Sequence, residues 1–351
     1  MGTPRRWRIG TRRSALALAQ AEWVAAWLRA SGQGAVELVT LVTAGDRLQA
    51  QPPVAADAGG RGIFVQELEA ALLEGRVDLC VHSAKDVPPE LAEGLALVAF
   101  PQRADPRDAL VAPAGWTVAG MPRGARVGTG SPRRALQLRE MRPDVVLVPL
   151  RGNVDTRLRR QAAGDYDALV LAAAGLERLG FLHTASELIP PEIMLPAAGQ
   201  GALAIEARAG DAAVRRALSA LDDGPTRAAV LAERAVLAAL GGGCSAPAGA
   251  LAVFAEGRLA LRAVLAGAAS GRVRRCALDT AWPGGTVAGG EAWALAQGLG
   301  RRVAAALLAD GGEALLREAA DAADGAGDAA VGRGGGATAQ ATGDAAAASR
   351  G

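Results

Sequence analysis

The chain has 351 residues, of which 50% are hydrophobic and 21% are charged. This composition is that of a globular protein with material for two or three domains. Its 38 basic and 36 acidic residues give a formal net charge of +2, so bulk charge gives no reason to expect a nucleic-acid partner. No apolar stretch reaches the roughly 18 residues that a membrane span needs. Three cysteines without a C-x-x-C spacing argue against a disulfide framework or a zinc ribbon.

The first hundred residues alternate between strand-like and helix-like segments. A strand over Trp7–Gly10 leads into a helix with Ser14 as its N-cap, because the apolar residues that follow have helical spacing. The next predicted elements are strands over Val36–Thr43, Val77–Val81 and Leu95–Phe100 and a helix over Ile63–Glu74. Such alternation favours a largely parallel sheet covered on both faces.

The arginine pairs near the N-terminus faintly suggest a twin-arginine export signal, since an Ala-Leu repeat follows them. Gln20, Glu22 and Arg29 interrupt the apolar run, which is too short for a signal sequence. We therefore expect a mature, cytoplasmic protein.

The alternation restarts after a Pro-rich segment, Pro101–Pro106. The predicted elements are strands ending at Arg126–Gly128 and over Val145–Leu150 and Ala168–Ala172, with helices from Pro132 and over Val154–Gln161. A second crossing is predicted around Leu195–Gly199. Two similar units joined by two crossings predict a cleft between lobes, with ligands bound at the carboxyl ends of the strands.

A different pattern begins near Thr226. Its predicted elements are a helix over Arg227–Leu240, a hairpin of Leu251–Phe254 and Leu259–Val264, a strand over Arg272–Leu278 and a helix over Glu291–Leu308. This order predicts a small α+β domain. From Asp321 onward the chain is rich in Gly and Ala and has no aromatic residue, so we expect a disordered tail.

The segment His82–Pro88 directly follows a predicted buried strand, where α/β proteins place their sites. It holds Lys85, the single lysine of the chain, whose compact ammonium the many arginines cannot replace. An ionised Asp86 beside it would stabilise a cationic intermediate. The alternative is an ordinary turn in which Asp86 caps a helix and Lys85 is solvated. Because Lys85 follows an alanine, a P-loop is excluded, and with two histidines in all we expect no metal site.

Arginines follow several other predicted strands. In Val127–Arg134 a glycine turn, hydroxyl side chains and a proline at the first helical position precede an arginine pair, which is a pattern suited to anions. Similar loops are Leu150–Arg157 and Ile9–Ser14. Each loop alone could be a plain strand-to-helix turn, but several together indicate a ligand with many carboxylates.

The three cysteines lie in different surroundings. Cys244 follows three glycines in a turn after a helix, so a ligand could approach its thiol closely. Cys80 and Cys276 lie in apolar or strand patterns and are predicted to be inert packing residues. Spacing alone leaves open whether Cys244 forms a covalent bond.

Taken together, the chain resembles the porphobilinogen deaminase, or hydroxymethylbilane synthase, family over about residues 7–315. The segments that carry this resemblance are Thr11–Ser14, His82–Pro88, Asp105–Asp108, Val127–Arg134, Leu150–Asn153, Ala198–Ala202 and Gly242–Cys244. The resemblance implies an α/β fold with two lobes like those of type II periplasmic binding proteins plus a small C-terminal α+β domain. The implied bounds are 1–101 with 199–221 for domain 1, 106–194 for domain 2, 224–318 for domain 3 and 321–351 for the tail.

The resemblance also implies a dipyrromethane cofactor bonded through a thioether to Cys244. Four porphobilinogen molecules are joined head to tail on it with loss of ammonia, and hydrolysis releases hydroxymethylbilane. The family acts as a monomer on this small molecule, with no nucleic acid or membrane. Asp86 and Lys85 match the catalytic positions. The implied cofactor contacts are Cys244, Lys85, Asp86, Ser83, Thr129, Ser131, Arg133, Arg134 and Arg151. The implied substrate contacts are Arg12, Ser14, Arg61, Arg157 and Gln200.

The sequence departs from the family pattern at two positions. Arg61 stands where a lysine is common, and Gly130 where a serine is common.

Two other functions are alternatives to the one that the family resemblance implies. A non-catalytic, two-lobed anion-binding protein would explain the arginines but not Cys244 or the third domain. A cysteine hydrolase would need a histidine near Cys244, and neither histidine matches such a motif.

Overall fold

Two five-stranded sheets and one three-stranded sheet form the framework of the described part of the chain. The computed structural model describes residues 5–41, 43, 65–241, 247–283, 289–318 and 321. Some predictions therefore lie outside the described residues: the contact of Arg61, the tether at Cys244, the helix start at Ile63 and the tail over 322–351.

The elements are numbered here in chain order. The strands are β1 (Arg6–Arg12), β2 (Ala35–Leu41), β3 (Leu79–Ser83), β4 (Leu95–Ala99), β5 (Asp108–Val111), β6 (Arg126–Thr129), β7 (Val146–Pro149), β8 (Ala168–Ala172), β9 (Ala185–Ile189), β10 (Leu203–Arg208), β11 (Ala248–Ala255), β12 (Arg258–Ala266) and β13 (Val273–Ala281). The α-helices are α1 (Ala15–Ala30), α2 (Gln66–Leu73), α3 (Pro132–Met141), α4 (Val154–Ala162), α5 (Ala173–Arg178), α6 (Ala212–Leu218), α7 (Gly224–Ala239) and α8 (Gly290–Leu307).

The first two sheets share one topology. The first has the strand order β2-β1-β3-β10-β4, and the second has the order β7-β6-β8-β5-β9. In the first sheet β10 is antiparallel to both β3 and β4, and in the second β5 is antiparallel to both β8 and β9. Each sheet is thus parallel except for one reversed strand. The predicted largely parallel sheet is therefore present, but with one antiparallel strand that was not predicted.

The reversed strands come directly after the two crossings of the chain between the sheets. The first crossing leads from β4 into β5, and the second leads from β9 into β10. Each lobe is therefore completed by a strand that arrives from the other lobe. This topology confirms the predicted pair of α/β lobes, and the third sheet with α7 and α8 confirms the small C-terminal α+β unit.

Most predicted elements are present with ends shifted by one to three residues. The strand predicted over Val77–Val81 is β3, which begins and ends two residues later. Strands β5, β9 and β10 were not predicted, because these short strands between glycines and prolines lack a distinct periodicity.

Apolar faces hold each lobe together. Helix α1 buries Ala21, Val24 and Leu28 against the sheet that contains Ile9 and Leu79. Helix α3 has the same place in the second lobe and buries Leu138 among the residues of its sheet. Full burial of a leucine or valine contributes about 1.5–3 kcal/mol.

One buried carboxylate connects the crossings to the C-terminal unit. Glu233 on α7 is fully buried and forms a two-fold ion pair with Arg103 of the first crossing, with N–O distances of 2.6 and 3.0 Å. Its oxygens also accept the backbone N–H groups of Gly199 in the second crossing and Ala252 in β11, at 2.6 and 2.8 Å. The position of the third sheet is therefore fixed relative to both crossings.

Candidate active site

A cleft of about 290 Å³ lies between the two lobes and is lined by both. The first lobe provides the end of β1, the start of α1 and the turn after β3, and the second provides residues of α3, α4 and α5. Seven of the predicted site residues line this cleft: Arg12, Ser14, Ser83, Lys85, Asp86, Arg134 and Arg157. The structure thus brings these seven residues, which were predicted from strand ends, together in one cleft.

The turn after β3 places two functional side chains at the carboxyl end of that strand. Residues Ala84–Asp86 form a single 3-10 turn, which the backbone hydrogen bond from Ala84 N to Ala202 O (3.0 Å) ties to the second crossing. Asp86 is exposed to the cleft. Ser83 at the strand end accepts a hydrogen bond from Gln20 Nε2 at 2.9 Å. The alternative was an ordinary solvated turn. These hydrogen bonds instead hold the turn and the end of β3 against the second crossing and α1.

Lys85 is held among cations. Its ammonium donates a hydrogen bond to Gln200 Oε1 at 3.4 Å. Burial lowers the pKa of Lys85 to about 8; Asp86 raises it, whereas Arg134 and Arg133 lower it further. A lysine in such surroundings gains most from a bound anion, because the anion would stabilise its charged form.

The arginine pair of α3 is anchored by Asp108 at the start of β5. Asp108 is fully buried and accepts hydrogen bonds from Arg133 Nη1 at 2.8 Å and from Arg134 Nη2 at 2.7 Å. Gln200 Nε2 donates to the same carboxylate at 2.8 Å. Burial raises the pKa of Asp108, but the charges and hydrogen bonds of the two arginines outweigh it and hold this pKa well below its usual range. This contact explains the Asp105–Asp108 motif, to which the sequence assigned no role.

The two arginines of the pair have different surroundings. Arg134 lines the cleft, whereas Arg133 is not among the lining residues and donates from Nη1 to the backbone oxygen of Leu195 at 2.5 Å. Arg133 Nε is buried without a hydrogen-bond partner among the described residues. The backbone of Gly249 in β11 approaches this side chain so closely that a Cβ there would lie 3.0 Å from Arg133 Cδ.

Two further arginines of the second lobe face the first. Arg157 on α4 donates from Nε to Gly152 O at 2.7 Å, and Arg178 on α5 donates to Gly201 O at 2.7 Å. Burial lowers the pKa of Arg157 to about 10, and the charge of Arg134 lowers it further. Burial also lowers the pKa of Arg178. The sequence analysis did not predict Arg178 as a site residue. The signal was present, because the helix that carries Arg178 starts directly after β8, and arginines after strands were the criterion used for the other loops.

The remaining predicted side chains lie beside the cleft or support it. Ser131 caps α3 through a contact from Arg134 N to its Oγ at 3.5 Å, and Thr129 Oγ1 accepts from Ser131 N at 3.2 Å. Arg151 is exposed after β7. Gly130 lies against the backbone oxygen of Leu150, where a side chain would collide, so this departure from the family pattern is part of the local packing.

These surroundings suit a ligand with several carboxylates. Lys85, Arg157 and Arg178 are cations of the cleft whose charged forms are disfavoured by burial. Ligand carboxylates would offset this penalty, because they pair with the charges. Among the described residues no group of three or more His, Cys, Asp or Glu side chains is arranged for a metal. Within the same residues no helix is long and apolar enough to cross a membrane.

Comparison with known proteins points in one direction. Residues 7–216 match the family model "Porphobilinogen deaminase, dipyromethane cofactor binding domain", and residues 227–309 match "Porphobilinogen deaminase, C-terminal domain". The chain is 50% identical to the porphobilinogen deaminase of Roseiflexus castenholzii over 88% of this chain and 97% of that protein. It is 51% identical to the porphobilinogen deaminase of Acidothermus cellulolyticus over 88% of this chain and 91% of that protein.

Among solved structures, a periplasmic substrate-binding protein of an ABC transporter from Coxiella burnetii aligns with 61% of this chain and 91% of its own, at 15% identity and a TM-score of 0.38.

Proposed function

The chain belongs to the porphobilinogen deaminase family, and from this premise we propose how its residues divide the work of the family's reaction. The enzyme joins four porphobilinogen molecules head to tail on a dipyrromethane cofactor, with loss of ammonia, and releases hydroxymethylbilane by hydrolysis. The two-lobed anion-binding alternative is not favoured, since both matched models are domains of this enzyme. The observation that carries our proposal is Asp86, exposed in a cleft whose lining also includes five cationic side chains: Arg12, Lys85, Arg134, Arg157 and Arg178.

Asp86 is the catalytic residue in this proposal. Its carboxylate accepts hydrogen bonds from pyrrole N–H groups and stabilises the cation left on the substrate when ammonia departs. Fixed charges act strongly at such a position, because they need no reorganisation as the charge develops. Lys85, next to it, binds a carboxylate of the cofactor or substrate and keeps that carboxylate away from Asp86.

The cations of the second lobe hold the acetate and propionate groups that every pyrrole ring carries. Arg134 and Arg157 line the cleft opposite Asp86 and would hold the cofactor and the substrate. When bound, the dipyrromethane supplies the free pyrrole carbon to which the first substrate is joined. Arg12 and Ser14 bind substrate from the first lobe. Several of the other predicted residues support this arrangement: Ser83, Thr129, Ser131, Arg133, Arg151 and Gln200.

Gln200 has a positioning role in this scheme. Its side chain accepts from Lys85 and donates to Asp108, so it connects the catalytic turn to the arginine anchor. Arg61 and Cys244 lie outside the described residues, and their proposed roles, substrate contact and thioether tether, rest on the family motif.

We also propose the division into three domains at the bounds given above. The first sheet uses strands from residues 6–99 and 203–208, which supports a first domain completed after the second crossing. Action as a cytoplasmic monomer, without nucleic acid, remains part of the proposal.

The intact mass of the purified protein tests the cofactor tether. We expect wild type to carry the mass of a dipyrromethane, and Cys244→Ser to fold without it, because a serine hydroxyl is a far weaker nucleophile than a thiolate. Cys80→Ser and Cys276→Ser are matched controls that should retain the adduct; Cys80 is buried, and burial raises the pKa of its thiol far above the usual value. An adduct on Cys80 or Cys276, or none on wild type made with an intact tetrapyrrole pathway, would contradict the proposal.

A further inference from the structure

A buried histidine–glutamate pair lies beside the cleft and has no part in the scheme above. His82 on β3 and Glu206 on β10 are 6% and 0% exposed, and His82 Nε2 lies 2.9 Å from Glu206 Oε2. The two strands are neighbours, with Glu206 opposite Cys80 and therefore diagonal to His82 on the same face of the sheet.

The contact decides which nitrogen of the imidazole is available. A carboxylate oxygen only accepts, so Nε2 of a neutral His82 carries the proton and Nδ1 carries the lone pair. Nδ1 has no hydrogen bond to any other described residue. Glu206 Oε1 is likewise buried without a partner within the described part of the chain. A carboxylate held in this way is stabilised when the imidazole gains a proton, because it then faces a cation.

His82 also lines a side chamber that opens toward the catalytic turn. The chamber has a volume of about 60 Å³, which admits a few water molecules but not a pyrrole ring. The side chamber and the cleft share six lining residues: Arg12, Ser14, Leu16, Gln20, Ser83 and Asp86. Water in the side chamber would therefore connect the imidazole to the region around Asp86.

The other titratable groups near the pair come from β1, α2, β3 and the turn after β3. Glu69 on α2 lies close enough that the charges of Glu206 and His82 both affect its pKa, which burial raises. Cys80 on β3 faces Glu206, and burial raises the pKa of its thiol. Arg12 and Asp86 line the side chamber itself. His82 therefore lines the side chamber together with Asp86, and its Nδ1 has no hydrogen-bond partner among the described residues.

We propose that His82, oriented by Glu206, accepts through chamber water the proton that each condensation releases. This inference rests on the proposed function, since that reaction supplies the proton. The C–N bond of the protonated aminomethyl group of porphobilinogen breaks with its electron pair on nitrogen, which becomes ammonia, and the substrate methylene carbon bonds to the free α-carbon of the accepting pyrrole. The C–H bond at that α-carbon then breaks, its electron pair restores the aromatic ring, and the proton passes to His82 Nδ1. The imidazolium gives the proton to the departing ammonia, which leaves as ammonium.

The orientation of the imidazole is tested without turnover. The chain has two histidines, so nitrogen-15 NMR of holoenzyme labelled at histidine contains two imidazole spin systems, and His183→Gln, at an exposed position, identifies the signals of His82. We expect the tautomer with the proton on Nε2, because Glu206 Oε2 faces that nitrogen. A tautomer with the proton on Nδ1 would overturn the proposal.

The kinetic test uses His82→Gln, whose amide can keep the hydrogen bond to Glu206 but offers no basic lone pair. We expect retained cofactor mass, an unchanged KM and a kcat lower by about 100-fold, as for loss of a general base. Glu206→Gln should also lower kcat at an unchanged KM, which keeps the proposal testable if His82→Gln does not fold. Glu69→Gln, the same change beside the pair but outside the side chamber, should behave as wild type.

Wild-type kcat in both His82→Gln and Glu206→Gln would exclude the proton-accepting role. Wild-type enzyme that forms no hydroxymethylbilane would instead contradict the proposed function itself.

Discussion

The two lobes share a topology, and each places a fully buried carboxylate on its reversed strand, yet the two carboxylates have different partners. Asp108 on β5 is matched by two arginines, which stay charged at any ordinary pH. Glu206 on β10 is matched by one histidine, His82, whose Nε2 lies 2.9 Å from Glu206 Oε2. Equivalent strands of the two lobes thus carry an arginine-bound anchor in the second lobe and a histidine–glutamate pair in the first.

The walls of the cleft follow the same division. The second lobe contributes Arg134, Arg157 and Arg178, which bind charge but exchange no proton at neutral pH. The first lobe contributes Asp86 and Lys85, and His82 lies behind them. We infer that the second lobe mainly binds carboxylates and the first mainly carries out the chemistry. Substitutions in one lobe at a time test this division.

The largest effect is expected when the anchor of the second lobe is broken. Asp108→Asn leaves Arg133 and Arg134 buried without a counter-charge, and removal of one partner of a buried ion pair typically costs about 3–5 kcal/mol of unfolding free energy. Because the pKa of Asp108 is lowered on folding, its contribution is complete above the unfolded aspartate pKa of roughly 4 and is lost only as pH falls through the lower folded value. Urea denaturation at several pH values measures both effects.

A surface ion pair between Arg126 and Asp167 is the control for Asp108→Asn. The carboxylate of Asp167 accepts hydrogen bonds from Arg126 Nε and Nη2 at 3.2 and 2.8 Å. Both side chains, however, are about a third or more exposed. Asp167→Asn should leave the urea midpoint close to wild type, because solvent screens such pairs. Equal losses in the two variants would contradict the special role of the buried anchor.

On the chemical side, Asp86→Asn should keep the fold and the cofactor but lower kcat by about 100-fold or more, as expected for loss of a main electrostatic contact in the transition state. The amide is almost the same size, yet it lacks the charge that stabilises the cation. Asp165→Asn, at a surface ion pair with Arg160, is the matched control. Rate measurements that show near-normal kcat in Asp86→Asn would remove Asp86 from the mechanism.

Lys85 should give the reaction a basic limb, and its effect is smaller. Its pKa of about 8 means that the ammonium is present below this pH and is lost as pH rises through it, so KM for porphobilinogen should rise above about pH 8. Lys85→Arg keeps its charge at high pH but not the compact ammonium. We expect a several-fold higher KM for this variant and no basic limb. A basic limb that is unchanged in Lys85→Arg would assign it to another group.

The cleft could be predicted from the sequence, because the relevant residues follow strands and strand ends converge in an α/β sheet. The partner of the arginine pair could not: Asp108 lies 25 residues before Arg133, on a reversed strand that has no periodicity of its own. The sequence pattern predicted Arg133 as a ligand-binding residue. It could not show that Arg133 Nη1 already donates a hydrogen bond to the backbone oxygen of Leu195, which is also distant in sequence. Glu206 was missed because a single acid within an apolar strand gives no signal until its neighbouring strand is known.

The smallest effects are expected at two serines that have the same place in the two lobes. Ser14 caps α1 and Ser131 caps α3, with N–O distances of 3.3 and 3.5 Å. Replacing either serine by alanine should lower the unfolding free energy by about 1 kcal/mol, the usual loss at an N-cap. Ser14 also lines the cleft, whereas Ser131 is not among the lining residues, so Ser14→Ala alone should raise KM by a few fold. Urea denaturation and KM, measured on both variants, separate the two contributions. An equal rise of KM in Ser131→Ala would place that hydroxyl in direct contact with substrate and give the second lobe more than a charge-binding role.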